Sequence, residues 1–479
     1  MNITPKKWSK KPADKVIRHP RMDSMNPIHI ELPSQRAKSP AMDPKLLVIY
    51  AFGLLIGLGT LMLTLPFSHH GTGFVPIVDA LFTATSAATV TGLVTVETST
   101  FWSLPGQLTI LVMMFIGGLG IMTIATAFLV IARQRISLSQ RLVMRETIGT
   151  DVFTNITTIT VRIVTWAVAI QLAGFIILLF RFLFLYPPEE AIWHALFQAI
   201  SGFNNAGFTS IKESQSLSAF RSDGFVLGTL AMLIILGSLS YWVIADILNK
   251  KQLSKLTLNS KLVLVTTGAL LIIGAIFFYV SESRNNAILE DASHIDRILA
   301  SVFHSVNRTA GFTTIDFGQT TDQTNFFYTA LMFIGGASAS VAGGIKVNTF
   351  ALIIISIIAA LKGSHDTTAF RRRIPPHQIQ WAFAMVILAF VGISVLAVSM
   401  SFIEQGLPFL DLLFEAVSAI GTVGFSTGIT GDLSAMGKIL LVIGMFIGRV
   451  GPPMIIIAAL SVQEEKSRYH YANETVLVS

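Results

Sequence analysis

Four glycines stand in closely similar settings along this chain: Gly92, Gly207, Gly311 and Gly424. Each follows a serine by six residues (Ser86, Ser201, Ser305 and Ser418), and successive glycines are 115, 104 and 113 residues apart. The segments leading into them read Thr89-Val90-Thr91-Gly92, Asn204-Asn205-Ala206-Gly207, Arg308-Thr309-Ala310-Gly311 and Gly421-Thr422-Val423-Gly424. Segments of this kind can strip a monovalent cation of its hydration water, because several backbone carbonyls converging on one axis replace that water. Glycine suits the position because it reaches conformations closed to other residues and brings no side chain into the path. Nearby hydroxyl and amide groups (Thr89, Thr91, Asn204, Asn205, Thr309, Thr313, Thr422, Ser426 and Thr427) are candidates to hold the segments. The four serines are expected on one helix face, tying helix to loop. Membrane helices are also rich in small residues that pack closely, and with 36 glycines in the chain any one says little. Four with like flanks and near-equal spacing favour a carbonyl filter for potassium.

Arg308 makes the third segment unusual. An arginine there is expected to brace the short helix against a carboxylate or carbonyls, not to line the path. A second cluster runs Gly335, Gly336, Ala337, Ser338, Ala339, Ser340, Val341, Ala342, Gly343, Gly344, Ile345 and Lys346, inside an apolar stretch. Each glycine weakens a helix by roughly 1 kcal/mol relative to alanine, so the span over 326–360 is expected to break there. A loop at membrane depth must face a cavity or other protein, and beneath a filter it would be a gate. The rival reading is a close-packing glycine patch. Arg449 lies deep in the last apolar run, in Gly448-Arg449-Val450-Gly451-Pro452-Pro453. Charges at that depth are expensive and usually face a cavity or partner, so Arg449 is assigned to the gate. Lys346 joins it, although a lysine at the end of the loop can also reach the cytosol.

These residues need elements to hold them in a bilayer. The chain has 479 residues, mean hydropathy +0.67, and only 13% charged residues, against about 25% for soluble domains. Long apolar runs near 46–66, 106–132, 161–186, 225–249, 262–281, 326–360, 380–403 and 436–461 are each long enough to span. Between the members of each pair lies a piece near 79–90, 191–203, 296–306 or 409–420, too short to cross and suited to a re-entrant helix. The expected fold is an all-α polytopic membrane protein with four tandem M1–P–M2 units around a pseudo-four-fold pore and eight spans. The units are 46–133, 134–250, 251–362 (holding the loop 335–346) and 363–479, after a basic tail over 1–45. The short helices would aim their carbonyl ends at the pore, where the helix dipole favours cations.

Net charge is +7, gathered in the tail and in loops such as Arg133–Arg145, Lys250–Lys261 and Lys362–Arg373, while 67–105 and 404–433 hold no Lys or Arg. The positive-inside rule puts both termini in the cytoplasm and the glycine segments outside. The charge therefore reports topology, and nucleic acid is not an expected partner. The tail, rich in proline and charge, reads as disordered, either a solvated topology signal or an arm that meets lipid or a partner. With no cysteine, disulfides and thiolate chemistry are excluded. The histidines are scattered and form no catalytic or metal pattern; His304 is assigned to packing or a hydrogen bond. Gly53–Gly57 and Gly117–Gly120 lie in apolar runs outside any strand–helix unit, so they read as packing positions, not nucleotide motifs.

On these residues the chain resembles the superfamily of potassium transporters that contains the bacterial Ktr and Trk membrane subunits and their plant and fungal HKT relatives. The likeness covers roughly residues 46–479 and rests on Thr89–Leu93, Asn204–Phe208 and Asn307–Thr314. It implies one filter glycine per repeat, a gating loop at 335–346 and a basic residue at Arg449. Some plant relatives carry serine at the first filter position and prefer sodium, so Gly92 argues for potassium. Trk subunits have two further spans before the first repeat, where this chain has a polar tail, so the resemblance is stronger to Ktr. A Ktr-like chain implies a homodimer in the bacterial inner membrane, surrounded by membrane lipids, with one pore per protomer. It also implies sodium dependence and a cytosolic RCK-type ring subunit, with nucleotide on that partner only and no covalent cofactor here. The alternatives are a Trk-type, proton-coupled potassium subunit and, more remotely, an alternating-access secondary transporter. The latter usually shows inverted repeats and midplane charges, whereas these repeats run in one sense and carboxylates such as Asp246 and Glu415 are scarce. An intramembrane enzyme would need a catalytic dyad or metal cluster in the spans; the chain has no His-Glu-x-x-His and its histidines are scattered, so no enzymatic activity is expected.

Overall fold

The structure is a computed structural model that describes residues 44–120, 156–211, 217–283, 285, 288, 293–364 and 366–451. Residues 1–43 of the tail, the Arg133–Arg145 loop, the second half of the 106–132 run and Pro452–Pro453 lie outside these residues.

Helix α1 (Pro44–Thr64) leads into α2 (Ile77–Thr89), and α3 (Leu104–Leu119) follows the first glycine segment. Next come α4 (Ile156–Phe182), α5 (Pro188–Phe203), α6 (Gly224–Ser238) and α7 (Tyr241–Lys250). The third group is α8 (Leu258–Glu282), α9 (His294–Val306), α10 (Asp322–Phe333) and α11 (Val347–Leu361). The last is α12 (Pro376–Ile403), α13 (Phe409–Gly421) and α14 (Ala435–Val450). Among the described residues, the one sheet is a two-stranded pair, Thr368–Ala369 with Arg372–Arg373.

The short helices are α2, α5, α9 and α13, of 13, 16, 13 and 13 residues. At about 1.5 Å per residue they fall short of the roughly 30 Å hydrocarbon layer. Each carries carboxylates in its first turn: Asp79, Glu189 with Glu190, Asp296 and Asp411. None has Lys or Arg in its last turn. Acid at the N-terminus suits the helix dipole, and the carbonyl ends stay uncompensated where they meet the glycine segments. Helix α9 starts on a reciprocal capping box between Ser293 and Asp296. Helices α2 and α13 end abruptly because Val90 and Thr422 adopt left-handed backbone, φ 57° and 48°.

Packing follows one scheme. Each longer helix lies on the short helix after it: α1 on α2, α4 on α5, α8 on α9, α12 on α13. Each short helix also touches a helix from the neighbouring group: α3 with α5, α6 with α9, α10 with α13 and α14 with α2. The last contact closes a ring, and there Lys438 on α14 pairs with Asp79 on α2 at 2.9 Å. Polar clasps tie some helix ends together. Glu282, fully buried at the end of α8, accepts from Thr321 Oγ1 (2.8 Å), Thr321 N (3.1 Å), Thr324 Oγ1 and Asn285 Nδ2 (2.7 Å). Glu404, just past α12, accepts from Ser434 Oγ (2.6 Å) and Ser434 N (3.0 Å).

Three described helices are long and apolar enough to cross a membrane by themselves: 160–182, 258–282 and 376–403. The pair α6 and α7 also qualifies, but it bends by 98°. The uninterrupted span expected over 225–249 is therefore corrected. The backbone carbonyls of Gly237 and Ser238, freed at the bend, accept from Val341 N (3.2 Å) and Ala337 N (2.9 Å). Another part of the chain thus satisfies groups that would otherwise force the helix to continue. The span over 326–360 does break, with α10 ending at Phe333 and α11 starting at Val347. Gly53 and Gly57 are not packing positions: an added Cβ at either meets nothing within 4 Å. Gly117 does pack, its Cβ site lying 1.9 Å from the Ala88 carbonyl oxygen.

Candidate functional site

The four glycine segments meet. A Cβ placed on Gly92 would lie 2.2 Å from the carbonyl oxygen of Ala206, and one on Gly207 would lie 2.4 Å from that of Ala310. One on Gly311 would lie 2.5 Å from that of Val423, and one on Gly424 2.2 Å from that of Thr91. Each glycine therefore abuts the carbonyl just before the next glycine, and the fourth returns to the first. Side chains are excluded by this close approach of backbone to backbone. Thr89, Val90, Thr91, Asn204, Asn205, Ala206, Arg308, Thr309, Ala310, Thr422 and Val423 are all buried around this ring.

The supports differ from quarter to quarter. Ser86 Oγ accepts from Gly92 N and Ser418 Oγ from Gly424 N, both at 3.0 Å. Ser201 Oγ donates to the Phe208 carbonyl at 2.8 Å. Ser305 departs from the expectation: it donates to Leu271 O on α8 at 2.7 Å. Gly274 admits it there, since a Cβ at that glycine would lie 2.4 Å from Ser305 Oγ. The third segment instead closes on itself, Gly311 N donating to Asn307 O at 3.2 Å. Asn205 and Thr309 link the second and third segments, the Thr309 hydroxyl donating to the Asn205 amide oxygen at 3.1 Å and the amide nitrogen donating to Ile234 O. Thr89 and Thr91 share a 2.7 Å hydroxyl contact.

Two loop supports were missed. Gln198 Nε2 donates to Thr209 Oγ1 at 2.5 Å. Buried Glu415 accepts from Ser426 Oγ (2.5 Å) and Thr430 Oγ1 (2.9 Å). Both stand nine residues before their glycine and secure the residue two after it, a register the sequence offered. His304 has the packing and hydrogen-bonding role expected of it. Its Nδ1 donates to Ala300 O (2.8 Å), its Nε2 accepts from Thr314 N (3.2 Å), and its ring stacks on Phe278 at 5.0 Å.

Segment 335–346 lies at the carbonyl ends of the short helices. Its two stems pair through Gly335 N to Ile345 O (2.8 Å) and Ile345 N to Phe333 O (3.1 Å). A Cβ on Gly343 would lie 1.8 Å from Thr422 Oγ1, so the segment abuts the fourth glycine segment directly. Ala337 and Val341 hydrogen-bond the bend between α6 and α7, and Ser338 N donates to Asn348 Oδ1 at 3.1 Å. Ala339 turns with φ 63°, and Ser340 N closes that turn on Ala337 O at 3.1 Å. Arg449 straps the crown, donating from Nη1 to Val341 O (2.7 Å) and from Nη2 to Gly117 O (2.6 Å). Lys346 Nζ donates back to Ala342 O. Gly336 and Gly344 complete the packed stems, where added Cβ atoms would meet Ala342 Cβ at 2.7 Å and Gly335 N at 3.1 Å. A cavity of about 480 Å³ adjoins the segment, lined in part by Phe203, Gly237, Val341, Ile420 and Arg449. Arg308 braces the end of its short helix against carbonyls, one of the two expected partners: it donates to Ile334 O and, at 3.4 Å, Gly335 O, both belonging to the segment's neck.

Long apolar helices packed around a buried ring of glycine backbone fit a multi-pass membrane protein. The family is shown by sequence: the TrkH model, described as a cation transport protein, matches residues 32–469, and the chain belongs to that family. It is a transporter family, not an enzyme family. The chain is 36% identical to Ktr system potassium uptake protein B of Bacillus subtilis, over 89% of this chain and 95% of the relative. It is 35% identical to the potassium/sodium uptake protein NtpJ of Enterococcus hirae, over 91% and 97%. The crystal structure of the potassium transporter TrkH from Vibrio parahaemolyticus shares the fold, with TM-score 0.69 at 16% identity, over 88% of this chain and 86% of that one.

Proposed function

We propose that this chain is the potassium-conducting membrane subunit of a Ktr-type uptake system. The observation that carries the reading is the closed ring in which each glycine abuts the carbonyl before the next. Carbonyls held this closely by buried backbone can replace a cation's hydration shell. The filter comprises Thr89–Gly92, Asn204–Gly207, Arg308–Gly311 and Gly421–Gly424, presented by four M1–P–M2 units with eight spans. The segment 335–346, with Lys346 and Arg449, is the gate: it sits against the Thr422 side chain and is strapped by an arginine whose charge opposes cation passage. Inward movement is driven by the membrane potential, worth about 2.3 kcal/mol per charge per 100 mV.

Both termini face the cytoplasm of a bacterial inner membrane. Relatives named as Ktr system proteins support assembly with other subunits, here a homodimer on a cytosolic RCK-type ring that carries the nucleotide. A relative named for potassium and sodium uptake supports sodium dependence. The test is Rb⁺ uptake and growth in a bacterium lacking its own potassium systems, with the RCK-type ring subunit co-expressed. Wild type is compared with Gly311→Asp at matched membrane levels. Rescue by wild type alone is expected; equal rescue by both sinks the filter.

A further inference from the structure

We propose that Arg308 is a positioning residue that couples the third filter segment to the neck of the 335–346 loop; this rests on the filter and gate reading above. Arg308 lies in the single 3₁₀ turn Asn307–Thr309, directly before Ala310. The Ala310 carbonyl forms part of the glycine ring, facing Gly207. Its guanidinium reaches 26 residues ahead to Ile334 O, and also to Gly335 O. Ile334 is the first residue past α10, and Gly335 opens the loop. The two stems are hydrogen-bonded to each other at this point, and a Cβ on Gly335 would lie 1.7 Å from Gly343 O. Arg308 thus grips the loop at its pivot, while Arg449 grips its crown at Val341.

Burial makes the grip consequential. Arg308 is 2% exposed, and among the described residues no carboxylate pairs with it. Carbonyl dipoles of the neck are what compensate the charge, and a buried cation stripped of its acceptors is strongly disfavoured. A swing of the loop that moves the neck must therefore draw Arg308 with it or strand it. Because Arg308 is two residues from the ring carbonyl of Ala310, the third quarter of the filter moves as well. The converse holds by linkage: a cation bound between the ring carbonyls holds the neck, and an empty ring releases it.

The chain has no cysteine, so a single reporter can be placed in the loop. The experiment uses the full chain carrying Ser340→Cys, purified in detergent, and follows thiol modification by a charged methanethiosulfonate in Rb⁺ and in N-methylglucamine. With Arg308 present, Rb⁺ is expected to slow modification. Arg308→Gln is expected to speed it about ten-fold in Rb⁺, the population shift from losing one charge-assisted hydrogen bond, and to erase the Rb⁺ dependence. Arg308→Lys, a shorter point donor, is expected to fall between and carries the test if Arg308→Gln does not fold. Unchanged rates, or an intact Rb⁺ effect in a folded Arg308 variant, overturn the coupling. Rb⁺ uptake by the wild-type protein in cells separates the outcomes. Uptake with no Arg308 effect sinks only the coupling, whereas no uptake with the ring subunit present sinks the transport reading beneath it.

Discussion

Gly92 and Gly424 each approach the backbone of a neighbouring segment so closely that a single methyl group has nowhere to go. The Gly92 Cβ site is 2.2 Å from Ala206 O, and that residue's φ of +93° is itself disfavoured for a side chain. Gly92→Ser must push the Ala206 carbonyl off the axis. The preference for potassium over sodium is expected to fall about ten-fold, equivalent to roughly 1.4 kcal/mol, measured as Na⁺ competition against Rb⁺ uptake. Glu282 makes a different kind of demand. Its carboxylate collects four donors in a fully buried clasp. Glu282→Ala leaves those donors without an acceptor and is expected to destabilise the protein by about 1–3 kcal/mol, read as a lower melting temperature in detergent with the filter sequence untouched. The glycines could be picked out from sequence because backbone crowding forbids every other residue type. The partners of Arg308 and Ser305 could not, because each reaches across to a helix or loop that only the folded chain brings near.

At the level of elements, short helices and a broken helix have separate origins. Length alone marks α2, α5, α9 and α13 as too short to cross, and polar glycine segments mark where each stops. The run over 335–346 announces its break by composition. The bend between α6 and α7 is marked far less, since 225–249 is mostly apolar, with only Gly237, Ser238 and Ser240 near its middle. That bend exists because the 335–346 segment takes up the carbonyls it frees. The two irregularities are therefore one structure. Deleting 338–343 removes Val341, the contact of both the bend and Arg449. It is expected to raise Rb⁺ uptake several-fold at matched expression; unchanged uptake would remove the segment from any gating role.

At the scale of the whole molecule, the ring is closed by α14 against α2, the last described helix against one of the first. Lys438 and Asp79, both largely buried, span that seam. Lys438→Asp alone is expected to cost about 1 kcal/mol, and the exchanged pair Lys438→Asp with Asp79→Lys to recover most of it, measured by melting temperatures in a double-mutant cycle. Sequence spacing suggested four like units, but it could not say which helix of one group meets the short helix of the next; that pairing depends on packing between segments far apart in the chain.

A ring built from one chain also changes what mutation can do. In an assembly of four identical subunits, any substitution at a glycine appears four times, and partial effects are inaccessible. Here each quarter has its own gene segment, and the quarters already differ. Ser86 and Ser418 hold their glycine N–H groups, Ser305 turns away to α8, and Arg308 hydrogen-bonds the neck of the loop. If the ring is the filter proposed above, selectivity can be adjusted in steps of one oxygen at a time, and one quarter can be given over to sensing while the other three keep the geometry of the path.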